Sequence, residues 1–147
     1  MAEDHLKLEN QICFSIYATA REVTKLYKPL LEELNVTYPQ YLVLLVLWEE
    51  DGITVKEMGH RLYLDSGTLT PMLKRMETAG LVFRERSKHD ERSVVVRLTE
   101  EGKKAEQTAD SIPYQLIDQL DMGQEELKQF KASMVKILQS VHQKNES

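Results

Sequence analysis

The chain of 147 residues contains a single cysteine, Cys13, in the stretch LENQICFSIYATA. A thiolate is a strong nucleophile and metal ligand, but one cysteine cannot form a disulfide within its own chain. The residues around Cys13 follow a helical period, and a cysteine on an apolar helix face is often only a small core residue. Two roles therefore remain open for Cys13, an inert core residue or a reactive thiol.

A second group of residues that could do chemistry lies in the middle of the chain, over residues 66–97. Lys and Arg outnumber Asp and Glu there, although the whole chain has a net charge of −5. Hydroxyl and basic side chains bind DNA bases and phosphates. The candidate DNA-binding residues are Ser66, Gly67, Thr68, Thr70, Lys74, Arg75, Arg84, Lys88 and Arg92. Any one of them alone is equally explained by a solvated surface, so the argument depends on the elements that carry them.

The elements before this region are predicted to be two long helices. Apolar residues at spacings of three and four predict a first helix over residues 6–34, with Pro29 as its kink or its end. A second helix follows through YLVLLVLWEE and ends at Asp51 and Gly52. Because this second helix is apolar on nearly all sides, we expect it to be buried.

A capped short helix and a tight turn come next. Thr54 and Glu57 match a capping box, which predicts a helix over residues 55–62. The connection at 63–65 leads into another helix that stops near Gly80. Local rules for Pro71 would begin that helix near Thr68, but we expect tertiary packing to begin it nearer Asp65 or Ser66.

The chain then changes to β-branched, nearly alternating segments. LVFRERS and SVVVRLT flank the polar connector KHDER, which predicts a two-stranded hairpin with a basic tip. Thr99 can cap the following helix, and Pro113 marks a bend or the start of a new segment. A last helix with an apolar stripe is predicted over residues 124–143.

This order of elements predicts a mainly α protein with a small β-hairpin wing, a winged helix-turn-helix. In such a protein the second helix of the pair enters the major groove of double-stranded DNA, and the wing reaches a neighbouring groove. We expect one domain over residues 1–147, with the DNA-binding part at 36–99 and dimerisation helices at 1–35 and 100–147. A homodimer would match a pseudo-palindromic operator, whereas packing within one chain is the alternative use of the terminal helices.

The string LYLDSGTLTPMLKRMETAGLVFRERSKHDERSVVVRLTEEG resembles the MarR family of dimeric winged-helix regulators. The wing of this family carries an Asp-x-Arg motif, here Asp90-Glu91-Arg92. The resemblance implies that Asp90 orients Arg92 through an ion pair, which adds Asp90 to the predicted DNA-binding site.

The amino-terminal part, LENQICFSIYATAREVTKLYKPLLEELNVTYPQYLVLLVLWE, is similar to the OhrR group, repressors that sense organic hydroperoxides. This resemblance implies that Cys13 is the redox-sensing residue, that Tyr27 and Tyr38 hydrogen-bond its sulfur and that Tyr17 lines the pocket. No second cysteine is present to resolve an oxidised Cys13, so the chain resembles the one-cysteine kind. A sulfenic acid at Cys13 would then react with a small external thiol, condense with a backbone nitrogen or oxidise further, and the small thiol is the expected resolving partner.

These observations predict a cytoplasmic transcriptional repressor that releases its operator when an organic hydroperoxide oxidises Cys13. The amino terminus lacks the apolar stretch of a signal peptide, and the longest apolar run is too short to span a bilayer, so we expect no membrane partner. Zinc-binding spacings and Gly-rich phosphate loops are absent, so no cofactor or metal is predicted.

Three alternatives remain open at this point. One is a MarR-type repressor that a non-covalent phenolic ligand releases, with Cys13 as a bystander. Another is a thiol peroxidase, although the four histidines are scattered and share no catalytic motif with Cys13. The third is a protein-protein adaptor that uses the terminal helices, so an enzyme is not the favoured class.

Overall fold

The computed structural model describes residues 3–146, which form seven α-helices and one three-stranded antiparallel sheet. The helices are α1 (Ile12–Leu31), α2 (Tyr38–Glu49), α3 (Val55–Leu62), α4 (Ser66–Thr78), α5 (Glu100–Ala109), α6 (Ile112–Asp118) and α7 (Gln124–Asn145). The strands are β1 (Ile53–Thr54), β2 (Val82–Arg86) and β3 (Val94–Leu98). Over the described residues, no helix is long and apolar enough to cross a membrane.

The first helix begins later than the sequence predicts. Two short 3₁₀ turns, Asp4–Leu6 and Leu8–Asn10, precede α1, which starts at Ile12 instead of residue 6. The side-chain amide of Gln11 donates to the carbonyl oxygens of the preceding turns, and such local bonds compete with helical backbone bonds. At the other end Pro29 lies in the last turn of α1, so it falls close to the end of the helix as predicted.

The second helix is buried, as its apolar sequence predicts. A complete capping box begins it. The main-chain N of Gln40 donates to Thr37 Oγ1 at 3.4 Å, and the main-chain N of Thr37 donates to Gln40 Oε1 at 3.0 Å. The box predicted at Thr54 is half made, since Glu57 N donates to the threonine hydroxyl at 3.0 Å. The buried residues of α2 are Tyr41, Val43, Leu44, Val46 and Leu47.

The sheet has one strand more than the predicted hairpin. Strand β1 pairs with β3 through Ile53 and Thr54, which gives the strand order β1-β3-β2. A two-residue strand is too short for alternating hydrophobicity to reveal it, so the prediction of two strands was wrong by this element. The hairpin itself is confirmed, with Arg84 opposite Val96.

Two hydrophobic clusters hold the part of the chain up to Ile112, which is one of its two compact units. The first cluster joins α2, α3, α4 and the sheet, and its fully buried members include Leu44, Leu69 and Val96. The second cluster contains Leu31, Tyr41, Ala109 and Ile112, and Tyr27, Leu30, Leu34 and Tyr38 pack against it. Val36 and Trp48 pack against both clusters.

The second compact unit starts at Pro113, in the first turn of α6. The prediction that this proline begins a new segment is confirmed. Helix α7 has no buried residue over its 22 residues, and its apolar side chains, among them Phe130 and Val141, are exposed. The assignment of the terminal helices to dimerisation and of one domain to residues 1–147 stays a prediction.

Candidate functional site

A tight turn joins α3 to α4. Tyr63 ends α3 in the left-handed conformation with φ of 58°, and Leu64 N donates to the Gly59 carbonyl oxygen at 3.0 Å. A Cβ atom at Gly59 would lie 2.6 Å from the Leu64 carbonyl oxygen, so no other residue fits there without a backbone shift. The close approach at Gly59 therefore sets the geometry of this helix pair.

Helix α4 starts at Ser66, as we expected from tertiary packing despite Pro71. The Asp65 carboxylate caps it by accepting from Thr68 N at 2.7 Å. Leu69, Met72, Leu73 and Met76 are buried on its inner side. The predicted DNA-binding residues Ser66, Gly67, Thr68, Lys74 and Arg75 are exposed, and Thr70 is half-buried. One face of α4 is thus free for a ligand along most of its length.

Arg84 has a different environment from the other predicted DNA-binding residues. Its Nε donates to Glu77 Oε1 at 2.8 Å, and its main-chain N donates to Glu77 Oε2 at 3.4 Å. The two side chains are only 24% and 33% exposed. The ion pair connects the end of α4 to β2, and no local sequence signal pointed to Glu77 as its partner.

The tip of the hairpin is organised by Asp90. Its carboxylate accepts from Arg92 N at 3.0 Å and from Ser93 Oγ at 3.2 Å. Within residues 3–146 no ion pair joins Asp90 to the Arg92 guanidinium, so the ion pair that the resemblance implied is corrected to a main-chain bond. Asp90 therefore shapes the turn that carries Arg92, and Arg92 itself is exposed.

The sequence analysis missed two residues whose side chains order the hairpin tip, Arg86 and Ser87. Arg86 Nη1 donates to the Glu91 carbonyl oxygen at 2.8 Å, and Ser87 Oγ accepts from His89 N at 3.2 Å. These bonds leave Lys88 exposed at the tip beside Arg92. The wing is consequently fixed by its own side chains and presents two cations to solvent.

Cys13 is exposed in this chain and lies in the first turn of α1. Its neighbours Leu6, Leu8, Ile12 and Phe14 are also exposed, with Ile12 at 71%. Tyr17, one turn further along, is 61% exposed and packs its ring against Arg21 at 5.6 Å. Cys13 therefore does not fill the core of its own chain, and the residues on either side of it in the sequence, Ile12 and Phe14, are exposed apolar residues.

Tyr27 and Tyr38 meet in the second hydrophobic cluster, with ring centroids 4.5 Å apart. Tyr41, which the sequence analysis missed, lies 5.8 Å from the first ring and 6.3 Å from the second. Its signal was the spacing of three residues from Tyr38 on a helix. We call these three residues the tyrosine cluster.

Burial raises the pKa of the phenols in the tyrosine cluster. Desolvation, followed by the charges that Tyr38 and Tyr41 would carry, raises the pKa of Tyr27 from 10.0 to about 12. Desolvation raises the pKa of Tyr38 and of Tyr41 as well. The hydroxyls of Tyr27 and Tyr38 have no hydrogen-bond partner within residues 3–146, so they are O–H donors without an acceptor there.

The structure does not bring Cys13 to the tyrosines within one chain. Cys13 and Tyr27 belong to the same helix and are fourteen residues apart. At a rise of 1.5 Å per residue, about 21 Å of helix separates them. No tyrosine hydroxyl in the described residues hydrogen-bonds the Cys13 sulfur. A hydrogen bond between these groups requires a second chain.

No metal site accompanies the cysteine. In residues 3–146 no group of three or more His, Cys, Asp or Glu side chains is placed to hold a metal ion. The groups that could react or donate hydrogen bonds are thus the exposed thiol of Cys13 and the phenols of the tyrosine cluster.

The helix pair, the exposed face of α4 and the ordered basic hairpin define a winged helix-turn-helix protein. The family model "Transcriptional regulator SarA/Rot" matches residues 25–108. The chain belongs to this family of MarR-type winged-helix transcriptional regulators.

Individual relatives agree with this assignment. The organic hydroperoxide resistance transcriptional regulator of Bacillus subtilis is 57% identical over 97% of both chains. AbfR is a protein of Staphylococcus epidermidis. The structure of its reduced form bound to DNA is 37% identical in sequence, with a TM-score of 0.77, over 94% of this chain and 96% of the AbfR chain. MarR of Escherichia coli is 27% identical with a TM-score of 0.70, over 87% of this chain and 97% of its own.

AbfR is known in several redox states, which allows a finer comparison. Its disulfide form gives a TM-score of 0.63 over 90% of this chain, against 0.77 for the reduced form with DNA. Overoxidised AbfR bound to DNA gives 0.74. The conformation of this chain is thus more similar to the DNA-bound forms than to the disulfide form.

Proposed function

We propose that this chain is a dimeric repressor that binds a pseudo-palindromic DNA operator in the cytoplasm when Cys13 is reduced. An organic hydroperoxide oxidises Cys13, and the repressor then releases the operator. The observation that carries the proposal is the exposed thiol of Cys13, which about 21 Å of α1 separates from Tyr27 of its own chain. The name of the Bacillus subtilis relative supports a hydroperoxide as the signal.

A homodimer completes the sensing site. Cys13 of one subunit faces the hydroxyls of Tyr27 and Tyr38 of the partner subunit, because its own tyrosines are out of reach. The exposed apolar residues around Cys13 and along α7 supply surface for such an interface. A two-fold axis makes two equal sites and places two copies of α4 for two half-sites of DNA.

DNA binding uses the exposed face of α4 and the hairpin tip. Ser66, Thr68 and Thr70 offer hydroxyls to base edges and phosphates, and Gly67 allows close approach of the helix start. Lys74 and Arg75 supply charge one turn later, and Lys88 and Arg92 supply it at the wing. Asp90 acts by shaping the turn, and Arg84 acts by joining α4 to β2 through Glu77.

Oxidation of Cys13 is a two-electron step on sulfur. The thiolate attacks the distal oxygen of ROOH, an S–O bond forms, the O–O bond breaks, and the leaving alkoxide takes a proton to become ROH. Sulfur is oxidised to the sulfenic acid Cys–SOH, and the hydroperoxide is reduced to the alcohol. The apolar side chains of Ile12 and Phe14 favour an alkyl hydroperoxide over hydrogen peroxide.

The sulfenic acid is then resolved by a small external thiol, because the chain has no second cysteine. A thiol R′SH attacks the sulfenic sulfur, forms a mixed disulfide Cys–S–S–R′, and the oxygen leaves as water. The bulky adduct cannot keep the bonds to the phenols of the partner subunit. Displacement of α1 and α2 then changes the separation of the two α4 helices, and the operator is released.

The test is DNA binding of the wild type and of Cys13→Ser, before and after treatment with cumene hydroperoxide and a small thiol. We expect the wild type to lose operator affinity and Cys13→Ser to keep it, with mass spectrometry showing the adduct only on the wild type. Ser15→Ala serves as a control on the same helix, because Ser15 is exposed, is not part of the proposed sensing site, and its substitution keeps Cys13; this variant should still release DNA. Release of Cys13→Ser on oxidation would refute the thiol switch.

The same assay separates the alternatives. A repressor controlled by a phenolic ligand would release DNA under fully reducing conditions when salicylate is added. A thiol peroxidase would consume hydroperoxide catalytically with a reducing thiol, and Arg92→Ala would not reduce that turnover. A protein-protein adaptor would show no salt-dependent DNA binding. For a DNA-binding protein, the logarithm of the binding constant falls linearly with the logarithm of the salt concentration, with a slope of about 0.9 per phosphate contacted.

A further inference from the structure

Trp48, the single tryptophan of the chain, lies where the two hydrophobic clusters meet. On one side its ring packs edge-on against Tyr41, with centroids 6.4 Å apart. Tyr41 in turn contacts Tyr27 and Tyr38. On the other side Trp48 packs against the cluster that contains α3, α4 and the sheet. The indole is therefore in contact with both the tyrosine cluster and the DNA-binding part.

The indole N–H continues this connection beyond the apolar contacts. Trp48 Nε1 donates to the Gly102 carbonyl oxygen at 2.9 Å, in a partly buried position. A Cβ atom at Gly102 would clash with the Leu81 carbonyl oxygen, so the start of α5 lies directly against the turn that follows α4. Thr99, the cap of α5, donates its hydroxyl to the Gly80 carbonyl oxygen at 2.6 Å in that same turn.

We infer that Trp48 is the positioning residue through which a displacement of the tyrosine cluster reaches the carboxyl end of α4. This inference rests on the proposed function and names how the sensing site acts on the DNA-binding helix. The steps are the contact of Tyr41 with Trp48, the hydrogen bond of Trp48 to Gly102, and the packing of Gly102 on Leu81.

Rigid packing is the physical reason that these steps transmit a movement. Protein interiors are close-packed, so a shift of one large ring must be matched by its neighbours. The indole has no polar atom besides its N–H, and that donor is fixed to the main chain of α5. A rotation of Trp48 that follows Tyr41 must therefore either move the start of α5 or break this hydrogen bond.

The experiment compares the ratio of the operator dissociation constants of oxidised and reduced protein in three proteins: the wild type, Trp48→Phe and Thr54→Ala. Trp48→Phe keeps an aromatic ring and removes the donor to Gly102. Thr54→Ala is the matched control, because it also removes one bond between a side chain and the main chain, that of Glu57 N to Thr54 Oγ1 at 3.0 Å, at the start of α3 and outside the path. We expect Trp48→Phe to lower the ratio by about fivefold and Thr54→Ala to change it by less than about twofold.

The outcomes separate this inference from the proposed function. A residue with a merely structural role would change stability and both dissociation constants together, and would leave their ratio unchanged. A wild-type ratio well above one with the same ratio in Trp48→Phe would overturn the inference alone. A wild-type ratio of one would overturn the proposed function and this inference with it.

A second measurement needs no substitution at Trp48. Because the chain has one tryptophan, its fluorescence reports this position alone. We expect the emission of the wild type to change when Cys13 is oxidised by cumene hydroperoxide and a small thiol, and the emission of Cys13→Ser to stay constant. Identical emission of the reduced and oxidised wild type, with the adduct verified by mass spectrometry, would overturn the inference even if Trp48→Phe failed to fold.

Discussion

The winged helix, residues 53–98, and the thiol segment, residues 3–17, differ in how far contacts within one chain bury their apolar side chains. In the winged helix most apolar residues lie in or against the first hydrophobic cluster, and Arg84 and Arg97 form ion pairs with Glu77 and Glu85. In the thiol segment Leu6, Leu8 and Ile12 are exposed by 60% or more. Several exposed large apolar residues in one short segment are typical of an interaction site.

The difference indicates that the proposed DNA recognition and its proposed control depend on different levels of assembly. One chain suffices to build the proposed DNA-binding face, because its turns, caps and ion pairs all form within residues 53–98. The proposed sensor needs two chains, because about 21 Å of α1 separates its thiol from its phenols. Substitutions in the two regions should therefore affect different measurements.

The largest effect is expected for Ile12→Ser. Ile12 is 71% exposed in one chain, and burying such a side chain contributes about 1.5–3 kcal/mol. Each dimer contains two copies, so the dimer dissociation constant should rise by more than about tenfold. Sedimentation equilibrium measures this change. We also expect Ile12→Ser to bind the operator more weakly than the wild type when Cys13 is still reduced.

Phe83→Ser provides the control for this prediction. Phe83 is also an exposed apolar residue, at 39%, but it lies on β2 in the winged helix. It should leave the dimer dissociation constant unchanged. An equal weakening of the dimer by both substitutions would show that the thiol segment is not the special surface.

Helix α3 could be predicted closely because its signals, Thr54 and Glu57, are local. The start of α4 at Ser66 needed the expectation of tertiary packing, because the local rule for Pro71 placed it near Thr68. The start of α1 and strand β1 could not be predicted in the same way. The first depends on bonds of the Gln11 side chain to earlier turns, and the second on pairing with Val95 and Val96, distant in sequence.

An intermediate effect is expected from a comparison of Arg84→Ala with Arg92→Ala. Loss of the Arg84 ion pair with Glu77 should lower the free energy of unfolding by about 1 kcal/mol, because the pair is partly shielded from solvent. Arg92 is exposed, so its loss should leave stability within about 0.5 kcal/mol and reduce the salt slope of DNA binding by about 1. Urea unfolding and DNA titrations at several salt concentrations measure these two quantities.

Glu77→Gln tests whether Arg84 acts through its partner. This variant should resemble Arg84→Ala in stability while it keeps the positive charge. If Arg84→Ala instead reduced the salt slope as Arg92→Ala does, with stability unchanged, Arg84 would contact DNA as the sequence predicted.

The candidate site was only partly predictable, and the reason differs between residues. The exposed hydroxyl and basic residues of α4 followed from a local pattern, since helical period separates them from Leu69 and Leu73. The role of Arg84 could not be predicted from the sequence, because Glu77 becomes its neighbour only when β2 folds back on α4. The separation of Cys13 from Tyr27 was available in principle, because both residues lie in one predicted helix.

The smallest effect is expected in the pH dependence of stability, and it tests the donors of the proposed sensor. An unfolded tyrosine loses its phenolic proton near pH 10, whereas burial raises the pKa of Tyr27 to about 12. Between these values the unfolded chain binds fewer protons than the folded chain, so the free energy of unfolding falls as pH rises. Tyr27→Phe should therefore lose less stability than the wild type between pH 10 and pH 12.

The measurement is the difference in free energy of unfolding between the two proteins, from urea titrations at several pH values. Groups that titrate alike in both proteins cancel in this difference, which leaves the contribution of Tyr27 together with its coupling to Tyr38 and Tyr41. Below pH 10 the difference should be constant, and above it the wild type should lose its relative advantage. A constant difference up to pH 12 would mean that Tyr27 ionises as easily in the folded chain as in the unfolded one. That outcome would contradict the partial burial of the Tyr27 phenol, and with it the contrast between the tyrosine cluster and the exposed thiol segment.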